Sequence, residues 1–198
     1  MAASNSPQFK LILLGDFGVG KTTLFHRVRT GCFLEVAHAL GQHFCMCEKT
    51  LPIKLNRSHF QVQVSLWDTA GEERFLSLSN CYYHSADAVL LVYSLQHLLS
   101  FDNLSHWRYM ARQYCTDADI FLLGNKSDLE SHVPEEKAER FAAEHGISGR
   151  FKVSAKTGEN VDWSLQEILQ HLLVKKEFQR SGLHTPLQEV GYYSHCGC

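Results

Sequence analysis

The chemistry-bearing residues of this chain fall in three short stretches, and the first of them reads as a grip for phosphate. Gly15-Asp16-Phe17-Gly18-Val19-Gly20-Lys21-Thr22 stands directly after the apolar residues Phe9, Leu11, Ile12, Leu13 and Leu14, where a buried strand should end. Glycines in such a turn let successive backbone N–H groups point inward at phosphate oxygens. A lysine at the mouth of the following helix reaches the terminal phosphates, and the helix presents its positive end to the anion. Gly15, Gly18, Val19, Gly20, Lys21, Thr22 and Thr23 are therefore the expected phosphate contacts, with the Thr22 hydroxyl offered to Mg²⁺.

The second stretch, Asn125-Lys126-Ser127-Asp128, follows the apolar run Ile120 to Gly124 and so lies at the carboxyl end of another strand, where ligands collect in open α/β sheets. A carboxylate such as Asp128 accepts from both the N1–H and the exocyclic amine of guanine. Adenine has no matching donor pair, and a buried carboxylate left unpaired is costly, so the same group selects against ATP. Asn125 can tie neighbouring loops together and meet the base edge, and the Lys126 stem can cover the ring. Ser154-Ala155-Lys156, after Phe151 and Val153, brings a backbone N–H toward guanine O6.

The third stretch, Trp67-Asp68-Thr69-Ala70-Gly71-Glu72-Glu73-Arg74-Phe75, ends the alternating strand Phe60, Val62, Val64, Leu66. Asp68 is placed to hold Mg²⁺ through a water, and the Gly71 N–H to meet the terminal phosphate. Together with Tyr82-Tyr83-His84-Ser85-Ala86 and the terminal Cys196-Gly197-Cys198, these residues resemble the Ras superfamily of small GTPases, and within it the Rab family, from about Phe9 to Val174. The resemblance implies a phosphate-loop three-layer α/β sandwich, a mostly parallel six-stranded sheet with helices on both faces. It also implies GTP or GDP with Mg²⁺ as ligands, and Lys21, Gly71 and Glu72 as the catalytic set. Phe33 falls at the aromatic over the guanine ring, and Phe44, Trp67 and Tyr82 at the aromatic triad that touches effectors. Aromatics bury large area in any domain, so core packing is an equal account of that triad.

The elements that must position these stretches are legible as alternating apolar strands and amphipathic helices, which predicts a mostly parallel sheet covered on both faces. Ala88 to Tyr93 reads as a fully buried strand. Phe101, Leu104, Trp107, Ala111 and Tyr114 recur at helical spacing, Pro134 opens a helix ending near Gly146, and Val161, Leu165, Ile168, Leu169 and Leu172 line the last helix. Thr50 to Phe60, with Asn56-Arg57-Ser58, reads as a hairpin, longer than the Rab pattern has there and so expected to protrude. The 198 residues, 44% of them hydrophobic, suit one self-supporting domain (9–174) between a short amino terminus (1–8) and a tail (175–198). A net charge of −2 without a Lys/Arg block gives no reason to expect nucleic-acid binding. An odd count of seven cysteines suits reduced thiols in the cytosol. His43-x-Cys45-x-Cys47 lacks a partner pair at zinc spacing and reads as strand alternation. Residues 1–8 lack the features of a secretion signal, and no apolar run spans a bilayer, so the protein is expected on the cytosolic side as a monomer.

From Lys175 onward large aliphatic residues thin out and no period persists, which predicts a flexible linker. Its Cys-Gly-Cys end is not the C-a-a-X form. It resembles the double-cysteine end on which Rab proteins receive two geranylgeranyl groups, at Cys196 and Cys198. Two such chains hold stably at roughly 0.8 kcal/mol per buried methylene, where one is marginal. The resemblance brings with it an exchange factor, an activating protein, effectors, and prenylation and escort machinery as partners, on the cytoplasmic face of an intracellular membrane.

Three departures from the family pattern bear on turnover. No serine or threonine occurs between Gly31 and Lys49, so the family's Mg²⁺-binding switch threonine is absent and Ala39 takes its place. Glu72 replaces the water-orienting glutamine; an ionised carboxylate accepts but cannot donate toward developing negative charge. Phe17 puts a bulky ring where the family has a small residue. The expected function is a slow GTP-hydrolysing membrane switch of vesicle trafficking. The alternative is a hydrolysis-deficient, GTPase-like adaptor held in one nucleotide state.

Overall fold

The computed structural model describes residues 6–33, 46–55, 58–69 and 83–181. Among these, strands β1 (Gln8–Leu14), β2 (Met46–Leu55), β3 (Ser58–Asp68), β4 (Ala88–Ser94), β5 (Asp119–Asn125) and β6 (Gly149–Val153) form one six-stranded sheet in the order β2-β3-β1-β4-β5-β6. Only β2 runs antiparallel to its neighbour; β3, β1, β4, β5 and β6 are parallel. The carboxyl ends of β1, β3, β5 and β6 therefore open on one edge, and that edge receives the first two chemistry-bearing stretches and the described start, 67–69, of the third.

Why β1 and β4 carry unbroken apolar runs follows from their central place. Successive side chains point to opposite faces, and both faces are covered. Leu11 and Leu13 join a cluster with Leu24, Phe25 and Val28 of helix α1 (Lys21–Thr30) and with Leu165, Ile168 and Leu169 of the last helix, α5 (Val161–Ser181). Ile12 and Leu14 join the opposite cluster, built with helices α2 (Leu98–Asp102), α3 (Leu104–Tyr114) and α4 (Glu135–His145). β2 is the sheet edge, which is why Pro52 can sit inside it without breaking a ladder on both sides.

The hairpin is present, pairing from Met46 with Trp67 out to Leu55 with Ser58, and residues 56–57 at its tip lie outside the described residues. Pairing of β3 with β1 begins only at Gln63, so Ser58 to Val62 run past the start of β1. Cys47 is buried on β2 and faces the core, while His43 and Cys45 lie outside the described residues; burial pushes the Cys47 thiol up despite nearby Arg29 and Lys49. α4 follows Pro134 and stops at Gly146, whose left-handed backbone caps it by donating to Ala142 O.

Two expectations need correction. The stripe from Phe101 to Tyr114 is two helices rather than one, parted at Asn103, and Tyr114 is about half exposed, stacked on buried Tyr83 with ring centroids 4.9 Å apart. The last helix also continues through Ser181, so 175–181 is helical rather than a linker. Lys175 explains part of the extension: its ammonium lies 3.0 Å from both Asp119 carboxylate oxygens, fastening the added turns to the sheet. Among the described residues no helix is long and apolar enough to cross a membrane.

Candidate functional site

β1 delivers the chain into the loop 15–20, and two glycines there are demanded by their neighbours. A Cβ on Gly15 would lie 2.0 Å from Val92 O at the end of β4; one on Gly20 would lie 2.4 Å from Asn125 Nδ2. Both residues have positive φ (148° and 97°), which glycine adopts without the clash of a side chain. The loop thereby lies flush against β4 and the Asn125 side chain, and α1 starts at Lys21 with no side-chain cap on its first N–H groups.

Lys21 is only 3% exposed, and its ammonium donates to the carbonyls of Gly15 (2.7 Å) and Asp16 (2.9 Å). A buried cation inside a glycine turn at a helix N-terminus suits a phosphate anion. Thr22 and Thr23 are half-buried on the first turn, and Val19 is buried beneath it. Asp68, at the end of β3, is buried, and the next residue, Thr69, is anchored by its hydroxyl donating to Leu13 O at 2.7 Å. Thr22 and Asp68 would supply two hard oxygens, a donor set that suits Mg²⁺, which keeps water and phosphate oxygens for the rest of its shell. Among the described residues no group of three or more His, Cys, Asp or Glu is gathered as a metal cage.

The base side is built around Asn125, 2% exposed at the end of β5. Its Nδ2 donates to Val19 O of the phosphate loop at 2.8 Å, and its Oδ1 accepts from the Ala155 N–H at 3.0 Å. One side chain so ties the three loops, as expected. Of the backbone N–H groups in 154–156 expected to face guanine O6, that of Ala155 is spent on Asn125 in this structure. Lys126 takes a left-handed backbone (φ 68°) that sends its ammonium back to Gly18 O at 2.9 Å. Asp128 is exposed, one carboxylate oxygen held by the Ser154 hydroxyl at 2.5 Å. Lys156 is exposed beside it.

Phe33 is 37% exposed at the end of its described segment, and Phe17 stands largely in solvent at 63%. Trp67 is half-buried against the second core cluster, with the Lys10 ammonium 4.3 Å above its ring. Ala39, Phe44, Gly71, Glu72, Tyr82, Cys196 and Cys198 lie outside the described residues.

Two contacts were not foreseen. Arg27 on α1 donates through Nε to Ala155 O (2.9 Å), through Nη1 to Gly31 O (2.7 Å) and through Nη2 to Lys156 O, clasping the base loop to the end of α1. Asp16 accepts from Asn103 Nδ2 and Trp107 Nε1, both at 2.7 Å. The only local signal was an arginine and an aspartate beside a phosphate loop, both types that demand partners.

A sheet of this order, with a glycine loop after its first strand and an Asn-Lys-x-Asp turn tied to it, defines the phosphate-loop class of small nucleotide-binding domains. A family model described as Ras family matches residues 10–174. Ras-related protein Rab-13 of Mesocricetus auratus is 36% identical over 189 residues, covering 93% of this chain and 90% of the relative. Ras-related protein Rab-26 of Homo sapiens is 35% identical over 195 residues (95% and 74%), and Ras-related protein Rab-19 of Xenopus laevis is 34% identical over 174 (86% and 79%). The chain belongs to the Ras family, as a divergent Rab-type small GTPase, and is accordingly a GTP-binding hydrolase.

Proposed function

We propose that this protein is a guanine-nucleotide switch that binds GTP or GDP with Mg²⁺ at the carboxyl edge of its sheet, hydrolyses GTP slowly, and recruits effectors to membranes in vesicle trafficking. The observation that carries the reading is Asn125, buried and bonded at once to the phosphate loop and the base loop. Phosphate and base sites so joined serve one ligand that has both parts. Asp128, steadied by Ser154, is the group that would read the guanine edge; Gly15, Gly18, Val19, Gly20, Lys21, Thr22 and Thr23 would hold the phosphates, and Phe33, Lys126 and Lys156 would flank the base. Mg²⁺, when bound at Thr22 and Asp68, neutralises charge on the phosphate oxygens. Lys21 keeps its ammonium at the loop mouth, where negative charge grows during transfer.

Turnover should be slow. Ala39 offers no metal ligand, and Glu72 accepts from a water but cannot donate to the leaving charge. Gly71 and Glu72 remain the assigned catalytic partners of Lys21, and Phe44, Trp67 and Tyr82 the effector surface. Cys196 and Cys198 would carry two lipids, holding the protein on the cytoplasmic face of an intracellular membrane, with exchange factor, activating protein and escort proteins acting on it as a monomer.

Ala39 and Glu72 favour a second reading, a hydrolysis-deficient adaptor. Single-turnover GTP hydrolysis with Mg²⁺, alongside the nucleotide carried by freshly purified protein, separates the two. GDP formation above the uncatalysed rate supports the switch; retained GTP over many hours leaves the adaptor. Equal affinity for GDP and ADP overturns both. Serine at both Cys196 and Cys198 should release the protein from membranes with GDP affinity unchanged; persistent membrane binding refutes the lipid assignment.

A further inference from the structure

Asp16 is an anion inside a loop read as anion-binding. Its backbone carbonyl accepts from Lys21 at 2.9 Å, so its peptide is part of the phosphate grip. Its side chain is engaged elsewhere: one carboxylate oxygen accepts from Asn103 Nδ2 and the other from Trp107 Nε1, each at 2.7 Å. All three side chains are half-buried. Asn103 is the residue that parts α2 from α3, and Trp107 sits one turn into α3, so two donors converge from a helix junction on the far side of β4 in sequence.

Core packing accounts for the Trp107 ring, which rests on the second cluster. It does not account for both oxygens of one carboxylate being met by neutral donors. A neutral pair leaves the charge in place but fixes where it sits, and a carboxylate freed from such bonds would compete for the Lys21 ammonium and repel phosphate through a poorly screened gap.

We propose that Asn103 and Trp107 are positioning residues for nucleotide binding: through Asp16 they lock the phosphate loop and keep its own negative charge out of the phosphate site. The inference rests on the guanine-nucleotide reading above and adds residues that neither the motif nor the family match assigns. It also makes the α2–α3 junction a place from which pressure is felt at the phosphate loop.

The test is a mutant cycle read as GDP dissociation constants, by titration of GDP into stripped full-length protein with Mg²⁺, with ADP in parallel. Trp107→Phe keeps the apolar ring and removes the donor, and should weaken GDP about tenfold, the scale of one lost hydrogen bond to a charged group. The weakening should be larger at low salt. Placed on Asp16→Ala, the same substitution should change GDP affinity less than about twofold, since the charge to be restrained is gone. Asn103→Asp sets a second carboxylate against the first and should weaken GDP further; adding Asp16→Asn to it restores one donor and one acceptor and should recover most of the loss. An equal effect of Trp107→Phe with and without Asp16 overturns the inference, as does failure of the Asn103→Asp and Asp16→Asn exchange to recover affinity. If Trp107→Phe does not fold, the Asn103 and Asp16 pair decides alone. Wild-type protein that prefers GDP to ADP while these variants match it refutes this inference only; a wild type without that preference removes the underlying reading with it.

Discussion

Asn125→Ala is the sharpest perturbation of the proposed site, because this one side chain makes two buried bonds in two directions. Its loss leaves Val19 O without the donor now at 2.8 Å and the Ala155 N–H without the acceptor now at 3.0 Å. Each group is buried, and an orphaned buried backbone group costs about 1–3 kcal/mol. Water entering the space left by the amide returns part of that, which puts the total at about 2–4 kcal/mol. The cost is divided between the empty and the loaded protein. In the empty protein it lowers folding stability; in the loaded one it loosens both loops around a single ligand, so each must be ordered by the ligand itself. With about half of the cost, roughly 1–2 kcal/mol, falling on the loaded protein alone, and 1.4 kcal/mol per factor of ten, GDP should dissociate roughly 5- to 30-fold faster. Release of a fluorescent GDP analogue, chased with excess GDP, measures this directly, and circular dichroism confirms that the sheet remains. A folded variant that releases GDP within threefold of the unaltered rate would refute the claim that Asn125 joins the two halves of one site.

Three further outcomes test the structure more widely. Arg27→Lys should raise GDP release and lower unfolding free energy in urea by about 1–3 kcal/mol, because one ammonium cannot match a fork that meets the carbonyls of Ala155, Lys156 and Gly31. Leu169→Ala, at a fully buried position of α5, should cost about 2–5 kcal/mol of stability yet leave the preference for GDP over ADP unchanged, a control for damage away from the site. Asp119 carries a pH signature. Burial works against its charge, but hydrogen bonds from His171 and Lys175 and their charges outweigh burial and hold the carboxyl below its ordinary range. A folded value below the unfolded one adds stability above the unfolded value of about 4, and that stability is lost as pH falls through the folded value. The stability difference between the unaltered protein and Asp119→Asn, by thermal melts, should be widest near neutral pH and close below about pH 4; a constant difference across that range would contradict it.

How much of this was legible in the sequence depends on the range of the interaction. β1 and β4 announced themselves because burial on both faces leaves an unbroken apolar run, and the phosphate loop because glycine is the residue its close approaches to Val92 and Asn125 allow. Asn125 was legible for a related reason: a turn at the end of a buried strand has little choice about which loops it meets. Arg27, Asn103 and Trp107 were not. Arg27 reaches 128 positions along the chain to Ala155, and Asp16 reaches 87 and 91 positions to its partners. No local period encodes such distances; Trp107 showed only its apolar side, as one residue in a helical stripe. The same holds for the extra turns of α5. Lys175 and Lys176 looked like the polar start of a linker, whereas Lys175 pairs with Asp119 and the Lys176 ammonium lies 4.9 Å over the Phe9 ring, contacts that exist only once the sheet is assembled.

That distinction bears on where this chain diverges from its relatives. The strands, the glycine loop and the Asn-Lys-Ser-Asp turn are constrained by sterics at the sheet edge, and they are intact. Of the departures, Phe17 is mostly in solvent, and Ala39 and Glu72 belong to stretches outside the described residues. On the proposed reading, change there would keep the grip on the nucleotide while altering what distinguishes triphosphate from diphosphate, so binding and turnover should part in experiment. Restoring threonine at Ala39 and glutamine at Glu72 should raise the single-turnover rate by roughly tenfold or more, the scale of one transition-state hydrogen bond, with GDP affinity moved less than threefold, since GDP lacks the phosphate those side chains would meet. A restored pair that tightens GDP as much as it speeds hydrolysis would show that the altered residues hold the nucleotide itself, and the separation would not stand.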